Sequence, residues 1–378
     1  METLEITNQQ GLNNVVENKV RAMLTRKADA VAATVNDMIN EGNALQDYIA
    51  PLGVVLQSKT EKPVVTFAAN GTVKMLMPEG EFGLHDNAVS QLSEKMGVPS
   101  KYLRALASGT DWEKQLASTI LNEHSNWTKR SRVLVRTVGG EVRGVLSDSY
   151  RRLNSLDIAS AFLAEVQEQG AQIADAYKSD TKVWFETILP TPIHVPTLKN
   201  GIVTLYAGAR FSTSDFGNGS VDMRSFLLNG VCLNGMVRES VMKQVHLGAK
   251  LPDSLHLSNE TYRLDTAATV SAVRDITRGL FGREALMQKA IEIQGASEID
   301  VDFAAELKAL TQRAVLLKDE AKGVEKLLMD NNPNDGLEGG ATLWKLTQAI
   351  TAHARDLEPA RTRELHELSG ALLNRVKI

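Results

Sequence analysis

The sequence predicts an α+β protein: a central antiparallel sheet with packed helices, followed by a C-terminal helical bundle or coiled-coil hairpin. Three observations point there. Between residues 51 and 250, short alternating apolar and polar runs are separated by glycine- and asparagine-containing turns. Interleaved with them are stripes of apolar residues at helical spacing. From about Asp265 onward only the helical period remains, and Phe303, Leu307, Leu310, Ala314, Leu317, Ala321, Val324 and Leu328 alternate steps of four and three in a heptad seam. The chain therefore divides into an N-terminal helical arm (1–50), an α+β core (51–250) and a C-terminal helical domain (251–378).

In order, the apolar positions from Asn14 to about Asn40 predict one long amphipathic helix ending near Gly42, its stripe buried either on the body or on a neighbouring subunit. Leu52–Gln57, Pro63–Phe67 and Thr72–Met77 read as short strands, with Asn70-Gly71 turning between the last two. A helix capped by Asp86 or Asn87 stops at Gly97, a second opens at Pro99-Ser100, and a third runs from Asp111 to His124. The first two have helix-turn-helix spacing, but the second offers only Lys101 and Arg104 to a duplex. Beyond residue 154, Leu156–Gln169 predicts a helix, and Thr181–Leu189, Ile202–Arg210 and Ser220–Leu228 predict strands. Pro190–Pro196 reads as a rigid loop and Phe211–Gly219 as a polar one. Two Asn-Gly pairs bracket Cys232, as tight turns around a buried thiol or as a backbone nest for phosphate. Arg238 and Lys243 fall on an expected helix, Asp330–Gly340 is a loop, and Ala341–Arg355 and Pro359–Val376 are the last two helices.

Lys129 to Asn154 holds seven basic residues, Lys129, Arg130, Arg132, Arg136, Arg143, Arg151 and Arg152, against Glu141 and Asp148. Two alternating runs flank Gly139-Gly140, which predicts a hairpin with a two-residue turn. The simplest register sets Arg136 across from Arg143, a like-charge pair that costs a sheet about 0.2–1 kcal/mol. A phosphate lying over the pair would relieve that cost, which makes the run a candidate nucleic-acid surface. Arg210 and Arg224 flank the polar Phe211–Gly219 loop and extend it, while Tyr150, Phe211 and Phe216 are candidates for stacking on bases.

The bulk numbers bound this reading. With 378 residues, 43% hydrophobic and 23% charged, the chain can bury a sizeable core. Its net charge of −4 restricts any nucleic-acid site to a local patch. The single cysteine precludes an intramolecular disulfide, in keeping with a reducing compartment. METLEITNQQ lacks the basic and apolar regions of a signal peptide, and no apolar run approaches the roughly 18 residues of a membrane span. There is no phosphate-binding glycine loop, no G-x-S-x-G elbow, and no H-x-x-x-H among seven histidines. No catalytic residue, metal site or cofactor is assigned. Asp148, Glu186, Asp215 and Asp222 have no spacing diagnostic of a metal nuclease.

HDNAVSQLSEKMGVPSKYLRAL, RGVLSDSYRRLNS, FSTSDFGNGSVDMRSFLLNGVCLNGMV and ATLWKLTQAITAHARD occur in this order between residues about 80 and 356. Together they resemble the phage/plasmid-like proteins, a family of unknown function found in bacteriophages, prophages and conjugative plasmids. The resemblance implies an accessory protein of a bacterial cytoplasm and supplies no active site. A basic hairpin beside helices is similar, more distantly, to single-strand annealing proteins. The expectation is a homo-oligomer that binds nucleic acid, single-stranded DNA in particular, during replication or recombination. The alternative is an oligomeric interaction protein that binds a host protein and modulates host defence or metabolism.

Overall fold

The computed structural model describes residues 2–52, 63–125, 132–233, 235–245, 257–332 and 335–376. All but the first residue of the strand expected over Leu52–Gln57, together with Lys129 and Arg130, lies outside them. The fold is α+β, as the sequence predicts, but its strands form two sheets rather than one.

Helix α1 (Glu2–Ala44) runs without a break past Gly42 and straight into β1 (Leu45–Pro51). A Cβ at Gly42 would lie 2.7 Å from Leu156, so this glycine marks a close helix crossing and not a helix end. The first sheet has the order β1-β5-β6-β4-β3-β2, with β2 (Val64–Phe67), β3 (Val73–Met77), β4 (Gly80–Leu84), β5 (Arg132–Val138) and β6 (Glu141–Ser147). Its pairs are antiparallel except β4 with β6. Helices α2 (Asp86–Lys95), α3 (Ser100–Ala107) and α4 (Asp111–His124) cover one face, where Leu92, Leu103 and Leu121 meet Met75, Val133, Val135 and Val145. The His85 side chain, not Asp86 or Asn87, caps α2, and Gly97 ends that stretch with φ of +69°.

The second sheet has the order β12-β11-β10-β8-β7, with β9 also paired to β10. Its strands are β7 (Gln172–Lys178), β8 (Val183–Ile188), β9 (Ile193–Pro196), β10 (Ile202–Thr213), β11 (Ser220–Asn229) and β12 (Gly235–Val245). Arg238 and Lys243 thus lie on a strand, correcting the expected helix, and the rigid loop over Pro190–Pro196 contains β9. On one face, α5 (Ser155–Glu168) and α6 (Asn259–Leu280) bury Phe185, Phe211 and Met223. Farther along that face, Val203, Leu205, Ala207 and Leu227 share a core with α7 (Arg283–Glu298), α8 (Phe303–Gln312), α9 (Lys318–Asp330) and α10 (Leu343–His353), to which α11 (Pro359–Leu372), lying along β12, adds Leu365 and Leu372. The C-terminal helices therefore build on the second sheet. On the opposite face, Val16, Val20 and Met23 of α1 pack on Ile188, Tyr206, Phe226 and Leu228.

Five α1 side chains, Val16, Val20, Met23, Val31 and Met38, are buried within this chain. At about 1.5–3 kcal/mol each, that burial holds the helix on its own body without a second subunit. The heptad seam is likewise broken: Arg313–Leu317 separates α8 from α9, Ala314 takes φ of +55°, and Leu317 is 60% exposed. Leu307, Leu310, Val324 and Leu328 still enter the core, against Trp344 and Ile350 of the same chain. Both packing arguments for a homo-oligomer are thus satisfied internally. Next to buried Cys232, Leu233 is left-handed (φ +59°), whereas Gly230 is not. Asn229 and Cys232 turn inward to Gln348, which fits tight turns rather than a phosphate nest.

Candidate nucleic-acid interface

The hairpin forms around Gly139-Gly140, with Gly139 at φ of +58°, but its register differs from the simplest one. Val138 faces Glu141 and Thr137 faces Val142, and then the register shifts so that Arg136 faces Gly144. Arg143 is the extra residue of a bulge, which shifts every later pair by one and changes the face it presents. Leu134 pairs with Leu146 and Val135 with Val145, so both faces of the hairpin are buried.

Arg136 consequently points into the protein and is 1% exposed. Its Nε donates to Asp47 Oδ1 at 2.7 Å, Nη1 to the Asp215 carbonyl at 2.9 Å and Nη2 to Asn154 Oδ1 at 3.2 Å. The Asp215 carboxylate lies 3.7 Å away and also accepts from the Ser155 backbone N–H at 2.8 Å. Burial opposes the Arg136 charge, yet Asp215 and Asp47 hold its pKa above the ordinary arginine value. Burial pushes the Asp215 carboxyl up, with Arg136 pulling the other way. Arg143 bonds to Glu41 at 2.6 Å and Glu141 at 2.9 Å. The two arginines proposed as phosphate ligands are therefore neutralised by the protein's own carboxylates, and they do not face each other.

The other candidates divide similarly. Tyr150, Phe211 and Phe216 are buried and have no face for a base; burial raises the Tyr150 hydroxyl pKa, and Phe211 stacks on Phe162. Arg210, 5% exposed, lies between Glu186 at 3.7 Å and Glu367 at 3.3 Å. Arg224 pairs with Asp222 at 2.6 Å and Glu367 at 3.0 Å. These two arginines do face each other across β10 and β11, and the anion bridging them is Glu367. Arg132 opens β5 opposite Pro51, partly exposed. Arg104 of the helix-turn-helix-like pair is engaged by Asp86 at 2.7 Å.

The remaining pair leads to a groove. Arg151 bonds to Asp265 and fastens the segment leaving the hairpin to α6. Arg152, Asn154 and Asp157 then line one wall of an open groove of about 630 Å³, with Asp47 beside them. The other wall is one face of α6, on which Asn259, Tyr262, Arg263, Thr266, Val270 and Arg274 recur every three or four residues. Arg152 lies over the Tyr262 ring, 5.2 Å from its centroid, and its buried Nε has no hydrogen-bond partner, the Asp47 carboxylate being 3.9 Å away. Arg263 pairs on the surface with Glu260 at 2.6 Å, while Arg274 is exposed and has no ion pair among the described residues. Arg136 supports this groove from behind, because it holds both Asp47 and Asn154.

Of the residues singled out in the sequence, the groove takes only Arg152 directly. Tyr262, Arg263 and Arg274 were not singled out, although the polar stripe of α6 is visible as a 3–4 repeat. Among the described residues no group of three or more His, Cys, Asp or Glu side chains is placed to hold a metal ion, and no helix is long and apolar enough to cross a membrane. No family model matches the chain, and neither a curated protein nor a solved structure matches it.

Proposed function

We propose that this chain is a phage- or plasmid-type accessory protein that holds single-stranded nucleic acid in the groove between α6 and the segment leaving the hairpin. The observation that carries the reading is the pairing of Arg152 with Tyr262 across a groove whose outer wall also presents Arg263 and Arg274. Cations spaced along one wall suit a phosphate backbone, and a half-buried ring suits a base, worth about 1–3 kcal/mol when stacked. The stripe from Asn259 to Arg274 spans roughly 22 Å at 1.5 Å per residue. The Arg263–Glu260 pair is exposed and worth at most about 1 kcal/mol, so phosphate can displace it.

Fluorescence anisotropy with a labelled single-stranded oligonucleotide tests this. Three phosphate contacts predict a slope of about −2 in log K against log salt, at ~0.7 per contact. Arg152→Gln and Arg274→Gln should each weaken binding and remove about 0.7 from that slope. No binding at low salt, or binding that neither variant alters, overturns the reading.

A further inference from the structure

On the face of the second sheet away from α5 and α6, the first turns of α11 approach β7 and β8 across a separate, half-open cavity of about 80 Å³. Asp175, Tyr177, Trp184 and Glu186 line it from the strands, and Arg363 and His366 from the helix. At about 30 Å³ per water, it has room for roughly three waters or the head group of a small ligand.

The charges around it do not balance. Lys27, Lys182, Arg210, Arg224 and Arg363 face Asp175, Glu186, Asp222 and Glu367, five cations to four carboxylates. Lys27 is taken by Asp175 at 2.7 Å, Arg210 by Glu186 and Glu367, and Arg224 by Asp222 and Glu367. Lys182 sits over the Trp184 ring at 5.0 Å with no ion pair among the described residues, and Arg363 has no such partner either. Its guanidinium lies 4.3 Å from the Tyr177 ring centroid and 4.5 Å from that of Trp184, and these rings offer its N–H donors no oxygen. Among the described residues nothing accepts a hydrogen bond from it. The His366 Nδ1 is also buried without a partner, and burial, reinforced by Arg210 and Arg363, holds that imidazole neutral with its pKa lowered to about 3. An unpaired guanidinium thus lines a cavity whose two carboxylates are already engaged, Asp175 by Lys27 and Glu186 by Arg210.

We propose that this cavity binds the carboxylate group of a small molecule, with Arg363 as its counter-ion. A planar guanidinium fork matches a planar two-oxygen anion. Phosphate fits less well, because Asp175 and Glu186 share the cavity and repel a dianion more strongly than a monoanion. The Tyr177–Trp184 pair forms an apolar wall for the remainder of the ligand.

Trp184 supplies the readout. Acetate titrated at constant ionic strength should give a saturable change in tryptophan fluorescence, with Kd on the order of millimolar for so small a ligand. The signal should be lost in Trp184→Phe and the binding lost in Arg363→Gln, checked for folding by circular dichroism. Should that variant fail to fold, Arg363→Lys retains the charge without the fork and should bind acetate about tenfold more weakly. Chloride and inorganic phosphate should give no saturable change. The proposal falls if acetate does not saturate, if either Arg363 variant binds it as the wild type does, or if phosphate saturates as well.

Discussion

Arg136→Met isolates what the buried arginine does. The substitution keeps most of the side-chain volume but removes the donors to Asp47, Asn154 and the Asp215 carbonyl. Two carboxylates are then left without their shared cation, Asp215 within the interior and Asp47 at the groove wall. Breaking a buried ion pair by deleting one partner costs about 3–5 kcal/mol. For 378 residues at roughly 2.1 cal/mol/K of unfolding entropy each, Tm should fall by about 4–6 °C in a thermal melt near neutral pH. The pH dependence has a definite sign. The folded Asp215 pKa already lies above its unfolded value, so its stability contribution is present below the ordinary carboxylate pKa and lost as pH rises through the raised one. Removing Arg136 raises that pKa further, so the deficit of the variant should be smallest in acid and grow toward neutrality. Adding Asp47→Asn and Asp215→Asn should recover most of the lost stability, because the charges are then gone in place of being stranded. A deficit below about 1 kcal/mol, or one that grows on acidification, refutes the assignment of Arg136 as an internal counter-ion.

Other outcomes follow from the same packing. Lys289 is 5% exposed, with burial lowering its pKa to about 8, so Lys289→Met should stabilise the protein near pH 7 by roughly 1–3 kcal/mol. That gain should shrink as pH rises from about 8 toward the ordinary lysine value, where the unfolded chain also loses the proton; a pH-independent gain contradicts it. At Gly370 a Cβ would lie 1.8 Å from the Val237 carbonyl oxygen, so Gly370→Ala should cost about 1–3 kcal/mol or more in urea unfolding by forcing α11 off β12. An unchanged midpoint would mean the helix does not pack so closely. Arg210→Gln leaves Arg224 with Glu367 and Asp222 but strips Glu186 of its cation, and should lower stability at neutral pH more than in acid. An equal loss at both pH values would exclude that pairing.

What was legible in the sequence was whatever a local signal encodes. Alternation found β5, β6, β8, β10 and β11, and Gly97 marked the end of the α2 stretch. What failed depended on partners distant in sequence. In β12, Met236, Val237, Val241 and Met242 recur at near-helical spacing, yet β11 recruits the segment as a strand. The break at Arg313–Leu317 carries neither glycine nor proline, and a left-handed alanine makes the turn. The bulge at Arg143 has no local mark, and that single extra residue decides whether Arg136 meets solvent or Asp215. Local charge density could not tell which arginines the fold turns inward. Arg136, Arg143 and Arg151 of the basic run are spent on the protein's own carboxylates, and its contribution to the groove comes through Arg152 and through the supports that place Asp47 and Asn154.

Photochemical crosslinking tests the groove most directly. A single-stranded oligonucleotide carrying 5-iododeoxyuridine, bound at low salt, irradiated and mapped by peptide mass spectrometry, should crosslink at α6 peptides containing Tyr262. Crosslinks confined to the first sheet, or spread over the surface without enrichment on α6, would contradict the assignment.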